Sequence, residues 1–444
     1  MAIIQELSLF SWKDFHNDLQ SLGDLERLKL VIETLPDQKF IDILLKIRGH
    51  GRNDYPIRAI WNSILAGIVF EHVSIASLRR ELMRNAQLRE LCGFDPLLGI
   101  TAVPSKSAYN RFLYKLMLHE VLIREIFDSL VKELTELCPN LGQNLAGDGK
   151  ALPSFGKPSK ETNSDYRREQ DADWGTKKYA GVDASGKAWE TIKSWFGFRL
   201  HLIVDTDAEL PVGYEVSKAS VGEQPIMTVL IEDLFHRIPV IHERCEHFMF
   251  DKGYDSSEKM CLLWDKYGVK PIVDIRNMWK DGETTKLLKS KNINNVTYDY
   301  KGTVFCHCPT TGEVRRMAYN GFEKKRNSLK YLCPARAYGV HCSGAEKCTL
   351  YNKSLRIPLQ EDRRVFTPVA RSSYKWEVLY RKRSSIERVN SRLDVSFGFE
   401  RHYIRGLLKM KLRCGLALSV MLAIAVGRLK QKQEKLMRSL VKAA

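Results

Sequence analysis

The order of elements between residues 144 and 275 is the feature that most constrains the fold. NLAGDGKAL reads as a strand ending at Asp148. FGFRLHLIVDTDAELPVGYEVS reads as two strands, with Phe198, Leu200, Leu202 and Val204 alternating, a turn around residues 205–209, and a return. GEQPIMTVLIEDLFHRI is helical, and CEHFMFD is a strand ending at Asp251. DSSEKMCLLWDKYG is a helix with Asp255 or Ser256 as its cap and Gly268 as its stop, and VKPIVDI is one more strand. Strand, hairpin, helix, strand, helix, strand predicts a mixed α/β sheet with Asp148 and Asp251 at strand ends. An acid there is either a cap for the next turn or a carboxylate offered at the sheet edge. In HFMFDKGYDS a glycine follows at once, and Gly253 is expected to let the chain turn tightly.

At 444 residues the chain exceeds one ordinary core, so two or three domains are expected. Residues 1–140 read as helical, from apolar residues at three- and four-residue spacing in YPIRAIWNSILAGIVFEHVS. Ser74 is a plausible helix cap, and Pro104 and Ser105 precede another basic helix. Arg79, Arg80, Arg84, Lys106 and Arg111 fit a helix-turn-helix-like DNA reader, or else the solvated face of a plain bundle. The stretch from Pro158 to about Lys193 is polar and loop-like. Residues 276–370 are basic, turn-rich and cysteine-rich, and read as an insertion. Residues 141–275 and 371–444 then form one domain around it.

Seventy Lys+Arg against 53 Asp+Glu give a formal charge of +17, which favours a polyanion such as nucleic acid as partner. Residues 371–444 alone hold 18 Lys+Arg and 5 Asp+Glu, a local +13. The N-terminus MAIIQELSLFSWKDF lacks the basic flank and apolar core of a signal peptide. The longest apolar run, CGLALSVMLAIAVG, is shorter than the roughly 18–20 residues of a membrane span and reads as a buried helix. A reducing, cytoplasmic setting is therefore expected, with the ten cysteines as thiols or metal ligands.

A third acid lies in YRKRSSIERVNSRLD. At about 100° per residue, with Tyr380 as zero, Arg383 falls near ~300°, Glu387 near ~340° and Asp394 near ~320°. Aromatic, cation and acid share one narrow helix face. GDGKAL, FDKGYDS and the set Tyr380, Arg383, Glu387, in this order and spacing, resemble the DDE transposases of bacterial insertion sequences. The likeness is to the group with a Y-x2-R-x3-E signature and a ribonuclease H-like core. The helical stretch YPIRAIWNSILAGIVFEHVSIASLRRELMRN is similar to the region that precedes the catalytic domain in many of these enzymes.

The resemblance implies that Asp148, Asp251 and Glu387 are catalytic and hold two Mg²⁺ or Mn²⁺ ions. Hard divalent cations prefer oxygen ligands, and a pair about 4 Å apart serves phosphodiester chemistry. The acids stand 103 and 136 residues apart, so the fold must bring them together. Tyr380 and Arg383 would contact DNA phosphate. The implied activity is binding of terminal inverted repeats, metal-dependent cleavage of the ends and strand transfer into target DNA by a homodimeric synapse, in a nucleoid-associated setting. The alternative is an inactive or domesticated DNA-binding protein or nuclease of transposase descent. One departure bears on this: the family pattern places Lys where this chain has Asp394, and Arg388 or Arg392 would have to substitute.

Cys306, Cys308, Cys333, Cys342 and Cys348, with His307 and His341 beside them, are dense enough for a structural zinc site. Their spacing, C-x-C and then C-x8-C-x5-C, lacks the paired C-x2-C of a finger, and buried small thiols are the alternative. Arg315, Arg316, Lys324, Lys325 and Arg326 make the insertion a surface for DNA or for a second transposase chain.

Overall fold

The computed structural model describes residues 23–49, 54–158, 169–182, 188–289 and 293–440. The described part of the N-terminal region is helical: α1 (Leu25–Thr34), α2 (Gln38–Arg48), α3 (Ile57–Val69), α4 (Ile75–Arg84), α5 (Ala86–Cys92), α6 (Lys106–Leu118) and α7 (Glu120–Leu137). Side-chain caps fix three of the starts. Ser74 accepts from the Ser77 N–H, Asn85 from the Leu88 N–H and Ser105 from the Ala108 N–H. Asp37 is buried under α3 and accepts from Arg58 and from the Trp61 indole.

A six-stranded sheet follows, built from β1 (Asn144–Pro153), β2 (Asp173–Val182), β3 (Ala188–Asp205), β4 (Leu210–Lys218), β5 (His247–Phe250) and β6 (Lys270–Val273). The first half of β3 pairs with β2, and its second half lies antiparallel to both β1 and β4. β5 is parallel to β1, and β6 is parallel to β5. Through its core the sheet runs β4-β3-β1-β5-β6. This is the mixed sheet the element order predicts. The stretch from residue 158 to 193 departs from expectation. Asp173–Val182 and the start of β3 form a β-ribbon rather than a loop, while 159–168 and 183–187 lie outside the described residues. Polar residues hid the ribbon, because its strands reach beyond the core and bury little on either face.

Helices α8 (Glu223–Arg237) and α9 (Pro239–Arg244) connect β4 to β5. A 3-10 turn (Lys252–Tyr254) and α10 (Ser257–Cys261) connect β5 to β6. Ser256, not Asp255, caps α10 by accepting from the Lys259 N–H. After the short helix α11 (Pro334–Tyr338), the chain returns to the sheet through α12 (Tyr374–Arg381), then through α13 (Ser385–Phe397) and α14 (Leu407–Lys430).

α14 is apolar all round and long enough to cross a membrane, yet 89% of its apolar window is buried inside the protein. It packs on α1, α3, α7 and β4. Residues of the N-terminal helices (Trp61, Phe127), the sheet (Leu202, Phe248) and α14 (Leu418) belong to one buried cluster. The N-terminal helices therefore share a core with the sheet.

A second cluster runs from Ile275 to Ala370. It fills the space between two small antiparallel sheets. One consists of β7 (Thr285–Leu287), β8 (Val296–Asp299), β9 (Val304–His307) and β10 (Val314–Arg316). The other consists of β11 (Ala318–Glu323), β12 (Ser328–Leu332) and β13 (Ser354–Pro358), with the short helix α11 (Pro334–Tyr338) after β12. Arg371 joins this unit to the main sheet, donating to the carbonyls of Val273, Arg364 and Val365 from a half-buried position.

Candidate active site

β1 and β5 pair in parallel with Asn144 opposite His247, Leu145 opposite Phe248 and Ala146 opposite Met249, a constant offset of 103 residues. Asp148 and Asp251 have the same offset. Asp251 keeps extended backbone angles, φ −76° and ψ 175°, one residue beyond the strand. The two carboxylates are thus brought level with each other on neighbouring strands, which lie about 4.8 Å apart.

The glycines flanking Asp148 are explained by what faces them. A Cβ on Gly147 would fall 2.4 Å from the Phe250 ring, and one on Gly149 would fall 2.9 Å from Glu223 Oε1. Side chains alternate along a strand, so these glycines turn toward α8. Asp148 and Lys150 turn the other way, where Lys150 meets Asp394 of α13 at 2.5 Å. Gly253 has ordinary negative φ, contrary to the expected need for backbone freedom. What it provides is space: Asp251 Oδ1 accepts from its N–H at 2.7 Å, and a Cβ would stand 2.8 Å from that same oxygen.

Burial pushes the Asp148 carboxyl up, and the neighbouring Asp251 charge adds to it; Lys177 and Arg383 oppose the shift. Lys177 Nζ reaches Asp148 Oδ1 at 3.8 Å and donates to the Gly149 carbonyl. That same Oδ1 is buried without a hydrogen-bond partner. A buried, unbonded carboxylate oxygen beside a second carboxylate is a fitting donor for a divalent cation.

Glu223, the first residue of α8, is the acid that sequence reasoning missed. Burial raises its pKa, Asp148 and Asp251 raise it further, and Lys177 and Arg199 pull it down. Arg199 approaches it at 3.5 Å. In the sequence it looks like an ordinary first-turn helix acid, and no signal distinguishes it. Beneath these acids the Tyr254 ring is fully buried against Phe250, with centroids 4.9 Å apart. Tyr254 is thus a core residue, whereas Lys252 is exposed and paired with Asp274 at 3.5 Å.

Glu387 takes a different position from the one its predicted role requires. It is exposed on α13 and accepts from Arg383, one helical turn earlier, at 2.9 Å. Arg383 in turn lies within electrostatic reach of Asp148. Among the described residues no three carboxylate, imidazole or thiol groups already close on a common metal position. Tyr380 is half-buried, stacks on Trp376 with centroids 4.7 Å apart, and feels Asp251 and Asp274. Arg388 and Arg392 both turn to Glu209 in the β3–β4 turn, Arg388 at 2.8 Å and Arg392 at 3.6 Å. The cation that meets Asp394 is Lys150, two residues beyond Asp148.

A family model described as the transposase DDE domain matches residues 162–422. The chain belongs to the DDE transposase family. The matched span contains Asp251, Tyr380, Arg383 and Glu387, and begins after Asp148. No curated protein matches the chain. Among solved structures it is similar to a piggyBac transposase synaptic complex with hairpin DNA, at 11% identity and a TM-score of 0.37, over 94% of this chain and 79% of that one. DDE transposases bind DNA and generally use divalent metal ions.

In the helical region of this transposase, Arg80, Arg84, Lys106 and Arg111 are exposed, while Arg79 is half-buried and donates to the Pro104 carbonyl. In the insertion, Arg315 pairs with Glu313 and Arg316 donates to the Ser372 carbonyl.

Proposed function

We propose that this chain is an active insertion-sequence transposase whose catalytic core is ribonuclease H-like. It binds terminal inverted repeats, cleaves element ends and joins them to target DNA, and two copies assemble on a pair of ends. The observation that carries this reading is the level placement of Asp148 and Asp251 on adjacent parallel strands, with the Tyr380–Arg383–Glu387 helix beside them. The strand order β4-β3-β1-β5-β6, with the first three strands antiparallel and the last three parallel, supports the ribonuclease H-like core.

Asp148 and Asp251 would hold Mg²⁺ or Mn²⁺. When bound, such ions supply a deprotonated oxygen nucleophile and charge compensation for the leaving oxygen. The chain's own residues do the rest. Lys177 balances Asp148 until it is replaced. Arg383 is held by Glu387 and is the cation nearest the acids on that helix. A DNA phosphate competes for Arg383, since guanidinium binds phosphate as readily as carboxylate. Glu387 is then released to complete the carboxylate set. Tyr380 supports Arg383 through its ring, 5.8 Å from the guanidinium.

The Lys150–Asp394 pair favours an active enzyme over a relic. The negative charge on α13 is matched by a lysine on β1, so the reversal is compensated rather than left as an uncorrected lesion.

The test is cleavage and joining of labelled DNA carrying the element's own ends, with Mg²⁺ or Mn²⁺, for wild type and Asp251→Asn. Wild type should nick and join, while Asp251→Asn binds DNA and does neither. Binding by both with cutting by neither would identify a DNA-binding relic, and cutting without joining a nuclease.

A further inference from the structure

The five cysteines of the insertion come from three separate pieces of chain and line one cavity. Cys306 lies on β9 and Cys308 just beyond it. Cys333 sits between β12 and α11 and is buried, while Cys342 and Cys348 bracket a compact loop. All ten cysteines of the chain are free thiols. The cavity measures about 30 Å³, room for an ion and not for an organic ligand.

The placement of each thiol is specific. Cys306 is paired across the sheet with Val296 on one side and Arg315 on the other, so its position is fixed by two ladders. It lies within electrostatic reach of Cys333, Cys348 and Cys342. His307, on the opposite face of the same strand, is turned away, its Nε2 at 2.8 Å from the Thr297 hydroxyl. Cys308 stands at the rim beside the Ser343 hydroxyl at 3.6 Å. The loop is laid directly on it, since a Cβ at Gly344 would come within 2.8 Å of Cys308 Sγ. Asn295 donates its side-chain amide both to the His307 carbonyl at 3.2 Å and to Cys348 Sγ at 3.5 Å. An N–H aimed at sulfur is the kind of contact that orients and steadies a metal-bound thiolate.

We infer that Cys306, Cys333, Cys342 and Cys348 form a tetrathiolate site for one zinc ion, which staples the two small sheets of the insertion together. Four sulfur ligands in a closed, non-catalytic setting select zinc by softness and geometry. Cys306 is carried by the sheet of β7–β10 and Cys333 by the end of β12 in the other sheet, while Cys342 and Cys348 belong to the loop that follows α11. Because no three donors yet converge on a point, binding draws that loop inward onto the two strand-borne thiols. Metal affinity and order of the loop are therefore one equilibrium. Each thiol that binds gives up its proton to solvent, and no electron is transferred.

The site is independent of the transposase reading and is tested without DNA. The full chain, purified under reducing conditions, should carry one equivalent of zinc by mass spectrometry of the metal. Cys306→Ser and Cys333→Ser should lower that to background, and Cys308→Ser should keep it. To separate loss of metal from loss of folding, the second measurement uses wild-type protein stripped of metal and titrated with Co²⁺. Saturation at one equivalent with intense tetrahedral bands and thiolate-to-cobalt charge transfer is expected, displaced by zinc. Wild-type protein that carries no metal and gives no such bands overturns the site. So does an iron chromophore, or a cobalt spectrum unchanged in a soluble Cys306→Ser variant.

Discussion

Asp148 and Asp251 are held level by the parallel pairing of β1 and β5, yet Asp251 Oδ1 accepts from the Gly253 N–H of the turn that follows, while Asp148 Oδ1 is buried with no hydrogen-bond donor. The two acids of one centre are therefore unequal before any ligand arrives. Asp251 is oriented by Gly253, and Asp148 is desolvated and balanced by Lys177 at a distance.

That inequality predicts opposite responses to neutralisation. The native pKa of Asp148 is raised by burial. An acid of this kind costs stability as pH rises from its unfolded value, about 3.9, through its native value. Without divalent ions, Asp148→Asn should raise the melting temperature at pH 8, and the gain should vanish at pH 4. With Mg²⁺ or Mn²⁺ the order reverses. Wild type gains about 2.7 kcal/mol at a hundredfold excess over Kd, and the variant gains nothing. Cleavage should fall more than about 100-fold in Asp148→Asn. Differential scanning fluorimetry with and without metal checks the sign.

Lys150 and Asp394 form a partly buried pair at 2.5 Å between the first motif strand and the signature helix. Asp394→Lys restores the residue of the family pattern but sets two lysines together. It should destabilise the protein by about 1–3 kcal/mol and reduce cleavage. Lys150→Asp with Asp394→Lys should recover most of the stability. A double-mutant cycle should give a coupling of about 1–2 kcal/mol between the two sites. Additive effects would show that the pair is incidental.

Much of this arrangement was legible in the sequence. Apolar alternation in Phe198–Val204 and the run Phe248–Phe250 marked β3 and β5 because they are buried strands, and Asp251 follows β5 directly as expected. Asp148 does not end its strand: β1 runs on to Pro153, because Lys150 and Leu152 continue the pairing with β3. The β2–β3 ribbon was not legible, since strands that bury little leave no hydrophobic pattern. Glu223 was hidden for another reason. Its role comes from Arg199 and Lys177 arriving from β3 and β2, and nothing local to α8 records that. Tyr380, Arg383 and Glu387 do lie together, with Arg383 beside both, although residues 382–384 form a 3-10 turn rather than the continuous α-helix the angles assumed. What they could not show is that Arg383 would take Glu387 for itself.

Two buried histidines set the acid limit of the fold. His201 is buried with Nε2 at 2.9 Å from the Ser217 hydroxyl, and burial together with Arg199 lowers its pKa to about 4. His247, beside Asn144, is also lowered to about 4 by burial and by Lys270 and Lys375. A base whose native pKa is depressed stabilises the neutral fold above its unfolded pKa, near 6.5, and that stability is lost as pH falls toward 4. The contribution is about 3 kcal/mol for His201. Urea midpoints should therefore fall steadily from pH 6.5 to 4, and His201→Gln should flatten the slope. An unchanged slope would place the acid sensitivity elsewhere.

Glu223 and Glu387 should separate metal binding from catalysis. Glu223 lies within electrostatic reach of Asp148 and Asp251 from the α8 side of the sheet in the free protein, whereas Glu387 is exposed and held by Arg383. Glu223→Gln should weaken Mn²⁺ binding by the DNA-free protein about 10–100-fold, the range seen when a supporting carboxylate is removed. Glu387→Gln should leave that affinity unchanged and abolish cleavage, because its carboxylate joins the acids only after DNA phosphate has taken Arg383. Arg383→Gln should then weaken DNA binding and, by freeing Glu387, tighten Mn²⁺ binding without DNA. Calorimetry of Mn²⁺ binding to the three variants, read beside their cleavage rates, decides the matter. Equal loss of metal affinity in Glu223→Gln and Glu387→Gln would mean that Glu387 joins the acids before DNA arrives.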